Sequence, residues 1–160
     1  MGTEILDKAI EFEEKGIELY SKALKIVQHE SCRKIIQFLF DQEKKHIEDL
    51  KNLYIEIKQK GAWPEKRTLL VEDKLSNIFK TASLNLNKTL KPNTDEKEFL
   101  DLCMALEIKG KKQYQILAEE AEDAKEKKFY ETLSKEEEKH FELLEQYCNY
   151  YWDSGLRMQE

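Results

Sequence analysis

The sequence predicts an all-α protein, an antiparallel four-helix bundle built from two helical hairpins and one long crossover. Three observations favour this fold. Charged residues make up 38 % of the 160-residue chain, which has only 5 glycines and 2 prolines, a composition typical of long helices with a solvent-exposed face. Apolar residues recur at the 3.5-residue spacing of helices that pack in a bundle. The stretch 3–57 is also similar to the stretch 97–151, with 14 identities in 55 aligned positions.

The first hairpin is predicted over about 3–60. Its first helix is expected over about 3–28 and its second over about 31–59. The second helix should stop near Gly61, because glycine readily adopts the left-handed conformation that ends many helices. The link between the two helices is short, which makes them antiparallel neighbours. His29 lies at this bend, and we expect its side chain on the surface.

A long crossover, residues 61–94, follows the first hairpin, and its apolar residues indicate one short helix. The second hairpin is predicted over about 95–152, with Asn93 and Asp123 as candidate N-caps of its two helices. Because the links within the hairpins are short and the crossover is long, the second and third helices should run parallel. Residues 1–160 are therefore predicted to form a single domain.

Six polar residues occupy positions where a packed helix would place leucine. The pattern Glu-x-x-His occurs twice, and a shift of 94 residues carries one copy onto the other. The same shift relates two upstream glutamates, two glycines and two tyrosines. The first copy consists of Glu13, Gly16, Tyr20, Glu43 and His46, and the second of Glu107, Gly110, Tyr114, Glu137 and His140.

Four ionised carboxylates inside one bundle require compensation, because each buried charge costs several kcal/mol even after relaxation. Two divalent cations neutralise four carboxylates, and two neutral imidazoles complete their coordination. A glutamate from each of two helices, with a Glu-x-x-His from each of the other two, is the ligand set of di-iron and di-manganese bundles. Ligation rich in oxygen favours iron or manganese over zinc or copper. The predicted metal ligands are Glu13, Glu43, His46, Glu107, Glu137 and His140.

The same residues resemble the rubrerythrin branch of the ferritin-like di-iron carboxylate superfamily. The stretches 11–20 and 41–46 are similar to the first hairpin of that family, and the stretches 106–114 and 136–140 to its second. The resemblance covers nearly the whole chain outside the crossover and the C-terminal tail. It implies a ferritin-like fold, a centre of two iron ions with manganese as the alternative, and reduction of peroxide or oxygen.

Position by position, the resemblance implies that Glu43 and Glu137 bridge the two ions. The terminal ligands that it implies are Glu13 with His46 for one ion, and Glu107 with His140 for the other. Tyr20 and Tyr114 match the tyrosines that hydrogen-bond ligand carboxylates in this family and orient them. Buried tyrosines that merely complete the core are an equally ordinary interpretation of these two residues.

The chain differs from rubrerythrins of the full type in two respects. It has three cysteines but no Cys-x-x-Cys pair, so the resemblance implies that a separate protein, such as a rubredoxin, supplies the electrons. Gly110 stands where the family carries an extra glutamate, one turn after the ligand of the third helix. A homodimer is the oligomeric state that the resemblance implies.

Two other functions are alternatives to peroxide or oxygen reduction. One is iron storage by a ferroxidase in a hollow shell, and the other is a metal-binding sensor module. A storage shell would have a mass far above the dimer expected from two 19.1 kDa chains.

The net charge of −6 argues against a nucleic-acid partner, because phosphate binding requires a basic face. No apolar run approaches the ~20 residues of a membrane-spanning helix. Three unpaired cysteines fit the reducing cytoplasm.

Other residues have simpler interpretations. In the charged run 135–139, only Glu137 is expected to face inward. Cys103 lies on an apolar stripe and is expected to be a buried, unreactive thiol. Gly16 and Gly110 allow facing helices to approach closely.

Overall fold

The computed structural model describes residues 3–61 and 94–150. Within these residues the chain forms four helices and no strand, which confirms the predicted all-α four-helix bundle. The helices are α1 (Thr3–Ile26), α2 (Glu30–Lys60), α3 (Thr94–Glu120) and α4 (Ala124–Cys148). The short helix predicted in the crossover, the Asn93 cap and the end predicted for helix 4 near residue 152 lie outside the described residues.

Local capping chemistry determines two of the helix ends. Helix α2 ends at Gly61, whose φ of 69° is left-handed and whose backbone N–H donates to the Ile57 carbonyl at 2.7 Å. Helix α4 begins after Asp123, whose carboxylate accepts hydrogen bonds from the backbone N–H groups of Lys125 and Glu126 at 2.7 and 3.2 Å. Both predicted caps are confirmed.

Contacts between side chains establish the directions of the helices. Helix α1 packs against α2 and α3 packs against α4, as two hairpins. Tyr20 of α1 contacts Glu107 of α3, while Glu13 of α1 contacts Tyr114 of α3, so α1 and α3 run antiparallel. Because α2 is also antiparallel to α1, helices α2 and α3 run parallel. The end of α2 and the start of α3 therefore lie at opposite ends of the bundle.

Two apolar clusters fill the bundle, one towards each end. The first surrounds the bend between α1 and α2, and its members include Tyr20, Val27, Ile35, Leu39, Leu100, Cys103, Leu144 and Tyr147. The second lies at the other end, and its members include Leu6, Leu50, Leu53, Tyr114, Tyr130 and Leu133. Burial of this apolar surface stabilises the fold at roughly 25 cal/mol per Å². Along every helix, the predicted metal ligands lie between the two clusters.

The prediction that His29 lies on the surface is wrong, because the residue is only 8 % exposed. Its backbone N–H donates to the Glu96 carboxylate at 3.1 Å, and Gln28 donates to the same oxygen. The first turn of α3 therefore covers the bend of the first hairpin, and burial lowers the pKa of His29. Among the described helices, none is both long and apolar enough to cross a membrane.

Candidate metal centre

The structure brings together all six residues that the sequence singled out as metal ligands. Each of them is at most 2 % exposed. Their ligand atoms form two groups of four, and within each group all the atoms lie within 4.8 Å of one another. The two groups are Glu13, Glu43, His46 and Glu137, and Glu43, Glu107, Glu137 and His140. Each group could hold a metal ion, and Glu43 and Glu137 belong to both groups.

Helical spacing explains why these residues share one interior. The glutamate and histidine of each Glu-x-x-His are three residues apart, so they lie on the same face of α2 or of α4. On α2 this face continues into Leu39 and Leu50, and on α4 into Leu133 and Leu144, all of which are fully buried. Burial of the leucines on both sides therefore directs the polar side chains inward.

Both imidazoles present their Nδ1 atoms to the carboxylates. The carboxylate oxygens nearest to Nδ1 of His46, at 3.3 to 3.5 Å, belong to Glu137, Glu13 and Glu43. Those nearest to Nδ1 of His140, at 3.2 and 3.4 Å, belong to Glu43 and Glu107. The two rings stack, with centroids 5.6 Å apart and an interplanar angle of 15°. Nδ1 of each ring would therefore be available to coordinate an ion held by its own group of ligands.

The buried acids of the site shift one another's pKa values. Burial and the charges of Glu13 and Glu107 raise the pKa of Glu43 to about 8. Burial and neighbouring carboxylates likewise raise the pKa of Glu137 well above its usual range. Burial also opposes the ionisation of Glu13, but a hydrogen bond with Glu43 and the charge of His46 outweigh it and lower its pKa to about 2.

The same carboxylates raise the pKa values of both imidazoles. Burial opposes protonation of His140, but the charge of Glu107 outweighs it and raises the pKa of His140 to about 9. Glu13 overcomes burial in the same way and raises the pKa of His46 well above its usual value. Two divalent cations with four carboxylates and two neutral imidazoles carry no net charge, so the residues fit two such ions.

Several atoms that face the centre of the site make no hydrogen bond. They are Oε2 of Glu43, Oε2 of Glu107, Oε1 of Glu137 and Nδ1 of both histidines. Buried polar atoms normally have a partner, and leaving one without a partner costs about 1–3 kcal/mol. Cations coordinated by these atoms would remove that cost. The unpaired atoms therefore favour a metal centre over a purely structural network of polar side chains.

Two tyrosines connect the hairpins through the ligand glutamates. The hydroxyl of Tyr114 on α3 donates to Oε1 of Glu13 on α1 at 2.6 Å. The hydroxyl of Tyr20 on α1 donates to Oε1 of Glu107 on α3. Each tyrosine therefore orients a carboxylate that belongs to the other hairpin. In Glu107 the second oxygen, Oε2, lies 3.4 Å from Nδ1 of His140, whereas in Glu13 the same oxygen, Oε1, contacts Tyr114 and lies 3.5 Å from Nδ1 of His46.

We expect Tyr114→Phe and Tyr20→Phe each to weaken binding of one metal ion about tenfold, because the carboxylate loses the hydrogen bond that orients it. Anaerobic titration with iron(II) measures the effect. Tyr54→Phe, on the part of α2 beyond the site, is the matched control and should bind both ions as the unmodified protein does. If all three variants bind iron alike, the two hydroxyls serve only to complete the core.

Gly16 and Gly110 occupy equivalent positions in the repeat but have different surroundings. A Cβ atom at Gly110 would lie 2.7 Å from Oε2 of Glu137 and 2.9 Å from Cε1 of Phe12, and both distances are too short. A Cβ atom at Gly16 would lie 3.4 Å from Cδ2 of Leu106, which is an ordinary contact. The glycine at position 110 therefore provides the space that the Glu137 carboxylate occupies.

Gly110→Ala is expected to displace the Glu137 carboxylate and to lower the affinity for both ions at least about tenfold. Gly16→Ala is the matched control: it should leave metal binding unchanged and stabilise α1 by up to about 1 kcal/mol, because alanine favours the helix. Metal titration and thermal unfolding of both variants test the difference. Equal metal affinities in the two variants would contradict it.

Glu136 belongs to the site, although the sequence pattern indicated that only Glu137 of its charged run faces inward. That prediction is wrong: Glu136 is 4 % exposed, and its Oε2 lies 2.6 Å from Nε2 of His46. One residue along a helix is a rotation of about 100°, which turns Glu136 from the centre of the site towards α2. The sequence signal that could have revealed Glu136 is the residue at the equivalent position of the repeat, Gln42, which is uncharged. In the structure Gln42 is also buried.

Comparison of the chain with protein-family models, with curated proteins and with solved structures found no match. The rubrerythrin resemblance therefore remains an expectation based on the sequence motifs.

Proposed function

We propose that this protein is a di-iron carboxylate protein of the rubrerythrin type, which reduces peroxide or oxygen with electrons from a separate donor. One observation carries the proposal: two buried groups of ligand atoms share the carboxylates of Glu43 and Glu137. Carboxylates that belong to both groups would hold two ions close enough to act on one small substrate. The predominance of oxygen ligands favours iron, with manganese as the alternative.

The six ligand residues would hold two iron(II) ions, and this pair would supply two electrons, one from each ion. Reduction of hydrogen peroxide to two water molecules consumes two electrons and two protons. Delivery of both electrons at one site avoids the hydroxyl radical that a one-electron reduction releases. The protein's contribution is to hold both positions side by side and to keep other reactants away.

The residues around the site suit this role. Because the six ligands are at most 2 % exposed, only a small oxidant can approach them. Burial and the neighbouring glutamates raise the pKa of Tyr20 and Tyr114 well above the usual value, so both hydroxyls keep their protons beside the ligand carboxylates. A bulky reductant cannot reach the ions directly, which favours electron delivery from a donor protein docked on the outside of the bundle.

Rapid mixing tests the proposed reaction. Protein freed of metal with a chelator is loaded anaerobically with two equivalents of iron(II) and mixed with hydrogen peroxide. We expect one peroxide to oxidise two iron ions, faster than it oxidises free iron(II), and a spin trap to detect no hydroxyl radical. Glu145→Gln, at an exposed position on α4, is the matched control, and its bound iron should be oxidised as in the unmodified protein. Loaded iron that peroxide does not oxidise would end the proposal of a redox function.

We also propose that a redox protein such as a rubredoxin is the donor and that the chain is a homodimer. Reduced rubredoxin should return the oxidised protein to the iron(II) state through repeated additions of peroxide. Light scattering should give twice the 19.1 kDa of the chain. A multi-subunit shell that accumulates many iron ions per chain would instead indicate iron storage.

A further inference from the structure

The two histidines of the site differ in what lies behind them. Nε2 of His46, on the side of the ring away from the centre, lies 2.6 Å from Oε2 of Glu136, and the ring N–H donates to that carboxylate. Nε2 of His140 makes no hydrogen bond, although its side chain is fully buried. The two halves of the site are therefore alike in their ligands but unlike in the support of those ligands.

The internal repeat identifies the origin of this difference. The 94-residue shift that relates His46 to His140 also relates Gln42 to Glu136. Gln42 is 8 % exposed, and its Oε1 makes no hydrogen bond. A buried carboxylate in one half of the site thus corresponds to a buried neutral amide in the other half.

A carboxylate that contacts Nε2 of a ligand histidine has two effects on metal binding. By accepting the Nε2–H hydrogen bond it fixes the tautomer whose Nδ1 lone pair points to the metal, and it also increases the basicity of that nitrogen. Hydrogen bonds to an ionised acceptor are roughly twice as strong as those between neutral groups. An amide at the equivalent position has no charge, so it provides at most the weaker support.

We propose that Glu136 is a positioning residue that makes the two metal positions unequal, so that the position of Glu13 and His46 binds its ion first and more tightly. The position of Glu107 and His140 binds its ion second, because the residue equivalent to Glu136 in that half is the neutral Gln42. This inference rests on the proposed function only in requiring that the six residues bind two metal ions. It requires no particular reaction with peroxide or oxygen.

Titration with manganese(II), followed by the electron paramagnetic resonance signal of free manganese, tests this inequality without enzymatic turnover. The unmodified protein should bind two ions with dissociation constants that differ at least about tenfold. Glu136→Gln should weaken the tighter step about 10- to 100-fold and bring the two constants together. Glu145→Gln removes the same charge from the exposed face of α4 and should leave both constants unchanged.

Two further pairs of variants assign the steps to the two halves. His46→Ala should abolish the tighter step, whereas His140→Ala should retain it. Gln42→Glu places a carboxylate at the equivalent position, and we expect it to tighten the weaker step. Glu136→Asp keeps the charge but shortens the side chain by one methylene, which moves the carboxylate away from His46. If the contact with His46 strengthens the tighter step, Glu136→Asp should weaken that step as Glu136→Gln does. If the charge alone strengthens it, Glu136→Asp should bind as the unmodified protein does.

Proton NMR of the zinc-loaded protein supplies a signature of the contact itself. We expect one strongly hydrogen-bonded imidazole N–H resonance, from Nε2 of His46, and its loss in Glu136→Gln. Two equal binding steps that Glu136→Gln does not alter would overturn the inference and leave the proposed function intact. Absence of metal binding in the unmodified protein would overturn both. If Glu136→Gln fails to fold, the tightening expected in Gln42→Glu still decides the question.

Discussion

Replacement of either shared glutamate is expected to abolish binding at both metal positions. Glu43→Gln and Glu137→Gln each remove a carboxylate from both groups of ligands, whereas Glu13→Gln and Glu107→Gln each remove one from a single group. Glutamine has almost the same shape but no charge, so two divalent cations would remain incompletely neutralised in a buried site. We expect the affinity for both ions to fall at least about 100-fold, more than for residues that only support the ligands.

Anaerobic titration with iron(II) distinguishes these variants by the number of ions that each one binds. The variants of the shared glutamates should bind neither ion at concentrations that saturate the unmodified protein. Glu13→Gln and Glu107→Gln should each retain one. Glu145→Gln should retain both. Binding of one ion at full affinity by Glu43→Gln would contradict the sharing of that carboxylate between the positions.

Removal of the metal is expected to lower the melting temperature by about 10 °C at neutral pH. An ion present at a thousand times its dissociation constant stabilises the fold by about 4 kcal/mol. In a chain of this size each kcal/mol shifts the melting temperature by about 2–4 °C. In the metal-free site the pKa values of Glu43, Glu137 and both histidines are raised, which makes the stability of the protein sensitive to pH.

The effect of metal removal should grow as the pH rises. In the metal-free fold the pKa of Glu43 is raised from 4.5 to about 8 and that of His140 from 6.5 to about 9. Because the folded state binds these protons more tightly than the unfolded state, their contribution to stability is lost as the pH rises through those values. Glu13, whose pKa is lowered from 4.5 to about 2, contributes stability that is lost as the pH falls from 4.5 towards 2. Metal ions replace the protons, so the loaded protein should not weaken in this range.

Thermal unfolding followed by circular dichroism, at several pH values between about 6 and about 9, checks both expectations. The metal-free protein should melt at progressively lower temperature, and the loaded protein should not. Glu43→Leu removes one of the responsible acids and should flatten the metal-free curve. A chelator that has no effect at any pH, or a metal-free protein that is more stable at the alkaline end, would contradict the proposed charge balance.

The parts of the fold and the site that the sequence predicted are those that depend on local rules. Gly61 and Asp123 cap helices through contacts with residues at most four positions away, so their residue types suffice to predict them. The inward direction of Glu43 and His46 follows from their register with Leu39 and Leu50 on a single helix. Because the second copy repeats this register, one argument predicted both halves of the site.

The residues that the sequence misassigned are those whose environment a distant helix determines. Glu136 lies at the border of the apolar stripe on α4, where helical period alone leaves its surroundings open, and its partner His46 is 90 residues away. His29 stands at a bend, a place that usually faces water, yet the carboxylate that covers its backbone comes from Glu96, 67 residues along the chain. In both cases the packing of the hairpins overrides the local pattern.

The repeated hairpin also bears on how such a protein evolves. Each hairpin carries one glutamate and one Glu-x-x-His, which is half of the ligand set, and each group of ligands draws on both hairpins. An ancestor of half the length would have needed to dimerise before it enclosed any metal, and every mutation would then have altered both positions at once. Gene duplication and fusion remove that restriction. The two halves now differ at the equivalent positions of Gln42 and Glu136, a difference that a symmetric dimer of identical hairpins cannot have.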